Sequence, residues 1–151
     1  METTDLILAM IHHLLAFSMA GIIAAEFVMM RSTPSSETLK RLARIDRHYG
    51  FVAAAVILIG IGRVFYGLKG WEFYVYNWVF WAKMLAFLAV GLMSIRPSIR
   101  YIAWNRRAVA DPGYEVPSAE FSAVRGQVLA QAAVFLLIPV FAAAMARGYN
   151  F

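Results

Sequence analysis

Four apolar stretches, at residues 6–30, 49–67, 75–95 and 124–145, constrain this chain more than any other feature. At about 1.5 Å per residue, each is long enough as a helix to cross a hydrocarbon layer of roughly 30 Å. Backbone polar groups have no water to bond there, so each span must satisfy its own hydrogen bonds as a helix. Hydrophobic residues make up 62% of the sequence, above the share of a soluble globular domain. The expectation is an all-α membrane protein, an antiparallel four-transmembrane-helix bundle forming one domain over residues 1–151. The first stretch has no basic residue before it and no small-x-small cleavage site, so it reads as a span rather than a removed signal.

The charged residues sort by side of the membrane. Arg31, Lys40, Arg41, Arg44 and Arg47 fall between the first and second stretches, and Arg96, Arg100, Arg106 and Arg107 between the third and fourth. By the positive-inside rule, both connections are cytoplasmic and both termini face out. This asymmetry accounts for the net charge of +5, so no nucleic-acid partner is implied. Trp71, Tyr74, Tyr76, Trp78 and Trp81 mark the outer water boundary, and Tyr101 and Trp104 the inner one. Ser35, Ser36 and Glu37 after Pro34 read as a helix start, so a cytoplasmic turn or two runs into span two; Ser118 is the expected cap of helix four. The chain contains no cysteine, which excludes disulfides and thiolate chemistry.

Basic groups inside spans are expensive and usually face protein, which makes His12, His13, Arg63 and Lys83 site candidates. Topology puts all of them in the outer half: the histidines lie about 9 Å into span one and Lys83 about 12 Å into span three. His12, Met19 and Glu26 recur every seven residues and share one stripe, so His12 is the inward candidate, with His13 about 100° around the helix. The only acidic residue counted in the outer half is Glu72, and such a cluster repels itself unless an anion joins it. A haem b suits this set: His12 or His13 would ligate iron, and Arg63 or Lys83 would pair with propionates. A quinone fits too, and copper is a further alternative through Met10, His12 and His13. The competing structural reading has Arg63 and Lys83 reaching the headgroups and the histidines bonding backbone carbonyls.

In the inner half, Glu26, Asp46, Arg47, His48 and Tyr49 are expected to gather with Arg125, Gln127 and Gln131. They form either a set of structural locks or a proton route. Small residues at Ala20, Ala24, Ala25, 53–55, Gly60, Gly62 and 142–144 favour close helix approach.

The segments IHHLLAFSMAGIIAAEFVMMR (11–31) and RLARIDRHYGFVAAAVILIGIGRVFYGLKGWEFYVYNWVFWAKMLAFLAVGLMSIRPS (41–98) resemble the bacterial membrane family described as domain of unknown function 2214. More distantly, the layout is similar to the haem-binding protoporphyrinogen oxidases of the HemJ type and to CopD-like copper-resistance proteins. The HemJ resemblance implies haem at His12 or His13 and a functional lysine at Lys83. Span three here lacks the histidine that commonly follows that lysine, and Glu26 stands where the HemJ type is basic. The expected function is binding of haem b or a related redox cofactor for electron transfer or porphyrin chemistry, as a membrane oxidoreductase. Its expected partners are the lipid bilayer, a redox protein and other copies of the chain in a homo-oligomer. The alternatives are a non-catalytic assembly or accessory subunit and, with less support, a small-ion or metal transporter.

Overall fold

The computed structural model describes residues 2–149 and consists, over that range, of helices and their connections. The helices are α1 (Glu2–Met29), α2 (Ser36–Tyr66), α3 (Gly70–Val75), α4 (Trp78–Ala110), α5 (Ser118–Phe135) and α6 (Leu137–Ala146). Four helices are long and apolar enough to cross a membrane: α1, α2, α4 and the stretch from Ser118 to Ala146. One end of the bundle carries the α1–α2 and α4–α5 connections with most of the arginines. The other carries α3 and the two ends of the described chain. We call them the arginine-rich end and the terminal end.

Helices α2 and α4 both extend past their apolar cores at the arginine-rich end. Ser35 starts α2 by accepting a hydrogen bond from the Thr38 amide at 3.2 Å, satisfying one of the amides a helix start leaves free. At the terminal end, Asn77 does the same for α4, its Oδ1 accepting from the Val79 amide at 2.9 Å. The aromatic segment before it forms the separate short helix α3, so the third span starts at Trp78 rather than at residue 75. Ser118 opens α5 without capping it; the cap position is Pro117, which makes no side-chain cap bond. Pro139 lies just inside α6 and lacks the N–H that would bond the Phe135 carbonyl, which is where α5 gives way to α6 at Leu136.

Antiparallel register is visible in close contacts along the seams. A β-carbon at Gly60 would lie 3.4 Å from His12 Cε1, and one at Gly62 3.7 Å from Leu8 Cδ2, while the Asp5 carboxylate lies against Gly67. As α1 descends, its partner on α2 ascends. Helix α1 also packs on α5, and α4 packs on α2, α5 and α6, so α1 and α4 sit diagonally. The core is best packed toward the arginine-rich end, where Met30, Leu39, Leu42, Tyr101, Trp104 and Phe121 are buried together. Large apolar residues such as Leu14, Phe17, Phe51, Leu58, Leu85 and Leu92 are exposed around the girth, as expected of surfaces solvated by lipid.

Candidate functional site

The terminal half contains the basic cluster. His12 is half-buried on α1, with its ring against Gly60 of α2. The positive charges of Lys83 and Arg63 both act electrostatically on that ring. Since α1 and α4 are diagonal, the influence of Lys83 crosses the bundle interior. Lys83 is half-buried, with Nζ 5.5 Å from the centroid of the Phe80 ring, a separation at which the ring face attracts a cation. His12 Nδ1 and Arg63 Nε are enclosed and have no hydrogen-bond partner. These three basic groups therefore share one interior region.

His13 does not join them. It is exposed, its Nδ1 lies 2.6 Å from the Ala9 carbonyl, and its ring centroid is 6.4 Å from that of His12 with the planes nearly perpendicular. Consecutive helical residues diverge by about 100°, so the two imidazoles do not close on one metal. Met10 is exposed as well. Among the described residues, no three His, Cys, Asp or Glu side chains form a metal-holding group. The copper arrangement expected from Met10, His12 and His13 is thus not assembled within one chain.

Two nearby residues escaped the sequence reading. Asp5 lies at the terminal end close enough to Tyr74 to act on it, as Arg63 does, so Glu72 is not the only acid there. Burial pushes the Tyr74 phenol up, with Arg63 opposing the shift and Asp5 reinforcing it. Asn77 is fully buried, and while its Oδ1 caps α4, its Nδ2 has no partner. Among the described residues, the ion pairs are Arg41 with Glu37 and Arg100 with Glu120, both at the arginine-rich end. No carboxylate among the described residues bridges Arg63 or Lys83.

The arginine-rich half gathers Glu26, Asp46, Tyr49 and Gln131. Ser98 Oγ donates to Asp46 Oδ1 at 2.6 Å, and Gln131 Nε2 donates to the Tyr49 hydroxyl at 3.3 Å. Glu26 is buried, with one carboxyl oxygen unpartnered and the charge of Asp46 nearby. Below them, Tyr101 donates to Met30 Sδ at 3.1 Å, and Trp104 Nε1 to Glu120 Oε1 at 3.1 Å. His48 stands apart on the exposed face, about 200° around α2 from Asp46, and so is not part of this group. Arg47 is exposed beside it, Arg125 is half-buried, and Gln127 is half-buried with Oε1 unpartnered.

Four apolar helices enclosing polar residues define an integral membrane protein of all-α architecture, with two chemically distinct polar regions stacked along its axis. The chain belongs to the family described as predicted membrane protein DUF2214, whose model matches residues 4–150. No curated protein and no solved structure matches it.

Proposed function

We propose that this membrane protein binds an anionic redox cofactor, haem b first, in the terminal half, for electron transfer or porphyrin chemistry. One observation carries the reading: Arg63 Nε is enclosed without an acceptor in the region that His12 and Lys83 also occupy, and among the described residues no carboxylate pairs with Arg63 or Lys83. Unpaired buried donors and charges cost stability, so their persistence points to a ligand that supplies acceptors.

The donor set fits a haem. Arg63 and Lys83 would pair with the two propionates, and His12 would offer Nε2 to iron, because Gly60 covers the side of the ring that carries Nδ1. Bound haem would supply one-electron transfer. The chain's own task is to hold the carboxylates, fix the imidazole against α2 and exclude water with Phe80 and Tyr74. Lys83 is the residue placed to touch both the cofactor and any proton that accompanies the electron.

Quinone is the second reading. His13 turns away from His12, and a quinone needs no pair of metal ligands: its head-group carbonyl would accept from Lys83 or Arg63. The terminal end faces the periplasm in both readings, following the arginine asymmetry of a bacterial inner membrane.

Absorption spectroscopy of the detergent-purified chain tests the proposal. Haem binding gives a Soret band that His12→Ala removes or shifts and His13→Ala does not. Folded wild-type protein that stays colourless after haem supplementation would exclude haem, and an extracted quinone would establish the second reading. Outside labelling of Arg107→Cys but not Thr3→Cys by a membrane-impermeant thiol reagent would invert the orientation; Asn150, the matching probe at the other terminus, lies outside the described residues.

A further inference from the structure

A cavity of about 350 Å³ lies between α2 and α4 in the arginine-rich half, away from the basic cluster. Two glycines open it. Gly50 and Gly91 both line the cavity, and a β-carbon added to either would meet nothing within 4 Å. Both are exposed on the girth of the bundle, so the cavity communicates sideways with the surrounding lipid.

Its dimensions match one leaflet. The lining runs on α2 from Asp46 to Ile57, eleven residues along the helix. That is about 16 Å, close to half of a hydrocarbon layer of roughly 30 Å. The far end is apolar, with Ile57 and Phe87; the near end, where α2 leaves the membrane, is polar, with Asp46, Arg47 and Ser98. A molecule filling this space has a polar head at the water boundary and a tail reaching toward the midplane.

The charges at the head end select among such molecules. Asp46 and Arg47 are adjacent and opposite in sign, yet they form no ion pair with each other. Asp46 Oδ1 accepts from Ser98, while Arg47 makes no ion pair among the described residues. A guanidinium with no carboxylate partner among the described residues thus sits beside a carboxylate held by Ser98. A headgroup carrying only a phosphate would bring its charge against Asp46, and a quinone would leave Arg47 without an anion. A choline headgroup has no N–H to donate. A phosphate followed by a primary ammonium complements both residues.

We propose that this cavity binds one phospholipid with a primary-ammonium headgroup from the leaflet at the arginine-rich end. Its phosphate pairs with Arg47, its ammonium with Asp46, and one acyl chain lies over Gly50 and Gly91. The site is independent of the cofactor in the terminal half.

Native mass spectrometry of the full chain, delipidated in detergent and then offered phosphatidylethanolamine, phosphatidylglycerol or phosphatidylcholine, tests this. One phosphatidylethanolamine per chain is expected, favoured over the other two by about tenfold, as expected for a charge-assisted hydrogen bond. Gly91→Leu, which places its side chain in the open space, should abolish retention. Arg47→Gln should weaken it about tenfold on the same scale, and Asp46→Asn should erase the preference over phosphatidylcholine. Equal retention of all three lipids, undiminished retention in Gly91→Leu, or a purified chain carrying a quinone that Gly91→Leu displaces would each overturn the proposal. Arg47 is exposed, so Arg47→Gln decides the question if Gly91→Leu fails to fold. The Soret band reads the cofactor separately, and its absence leaves the lipid result unaffected.

Discussion

The two halves of this bundle lack opposite things. In the terminal half, the enclosed atoms without partners are nitrogens: His12 Nδ1, Arg63 Nε and Asn77 Nδ2. In the arginine-rich half they are oxygens: Glu26 Oε1, Tyr114 Oη, Gln127 Oε1 and Gln131 Oε1. The arginine-rich half nevertheless ties several of its polar residues into bonds across helix seams, Asp46 to Ser98, Tyr49 to Gln131 and Trp104 to Glu120. The basic residues of the terminal half make no such ties. Both halves thus carry enclosed atoms without partners, but among the described residues polar side chains bond to one another across helix seams in the arginine-rich half; the missing ties fit a terminal half in which stability is given up to keep a ligand site.

The comparison is most exposed to failure at Trp104. It is buried against Tyr101 and Phe121 and donates to Glu120, so Trp104→Ala should cost about 3–5 kcal/mol. Thermal unfolding in detergent measures this; a change indistinguishable from wild type would mean the arginine-rich half is not the better fastened one. Ser98→Ala comes next, because it strips Asp46 of its donor, with an expected loss of about 1–3 kcal/mol. If phospholipid occupies the neighbouring cavity, that loss should shrink when the lipid is present.

Lys83→Met sharpens the contrast because its sign is opposite. Replacing a half-buried ammonium that pairs with no carboxylate among the described residues by an apolar chain of similar length should raise the stability of ligand-free protein by about 1 kcal/mol. The same variant should lose cofactor retention. Destabilisation of the ligand-free protein would show that Lys83 is a structural lock after all. Glu120→Gln should have the smallest effect, below about 1 kcal/mol, because its pair with Arg100 is partly exposed. A larger loss would move Glu120 into the core of the fastening network.

Much of this was legible in the sequence. Apolar length and arginine spacing announce four spans, and the seven-residue stripe from His12 through Met19 to Glu26 points inward, where Met19 and Glu26 are buried. The start of α2 was legible at Ser35 to Glu37, but the continuation of α4 to Ala110 was harder to read, since its polar turns beyond the membrane look like loop by composition. Asn77 and Asp5 gave little signal: each is a lone polar residue near a boundary, where solvation is the ordinary expectation. His48 shows the reverse error, because closeness in sequence to Asp46 suggested closeness in space that helical phase forbids. The cavity could have been anticipated from Gly50, Ala53 and Ile57 facing Gly91, Ser94 and Ser98, each set at helical spacing. Gly50 and Gly91, which leave the gap, were not among the small residues singled out in the sequence.

The break at Leu136 divides the fourth wall of the bundle unequally. Helix α5 buries five residues, including Phe121, Val124 and Val128, whereas α6 buries none along its ten residues. At about 1.5 Å per residue, α6 covers only half the thickness of the membrane. The wall around His12, Arg63 and Lys83 therefore has three continuous staves and one short, lightly seated panel. Local opening follows the weakest packing, so α6 should exchange its amide hydrogens before α1, α2 or α4, and fluctuations of the whole molecule should begin at that panel.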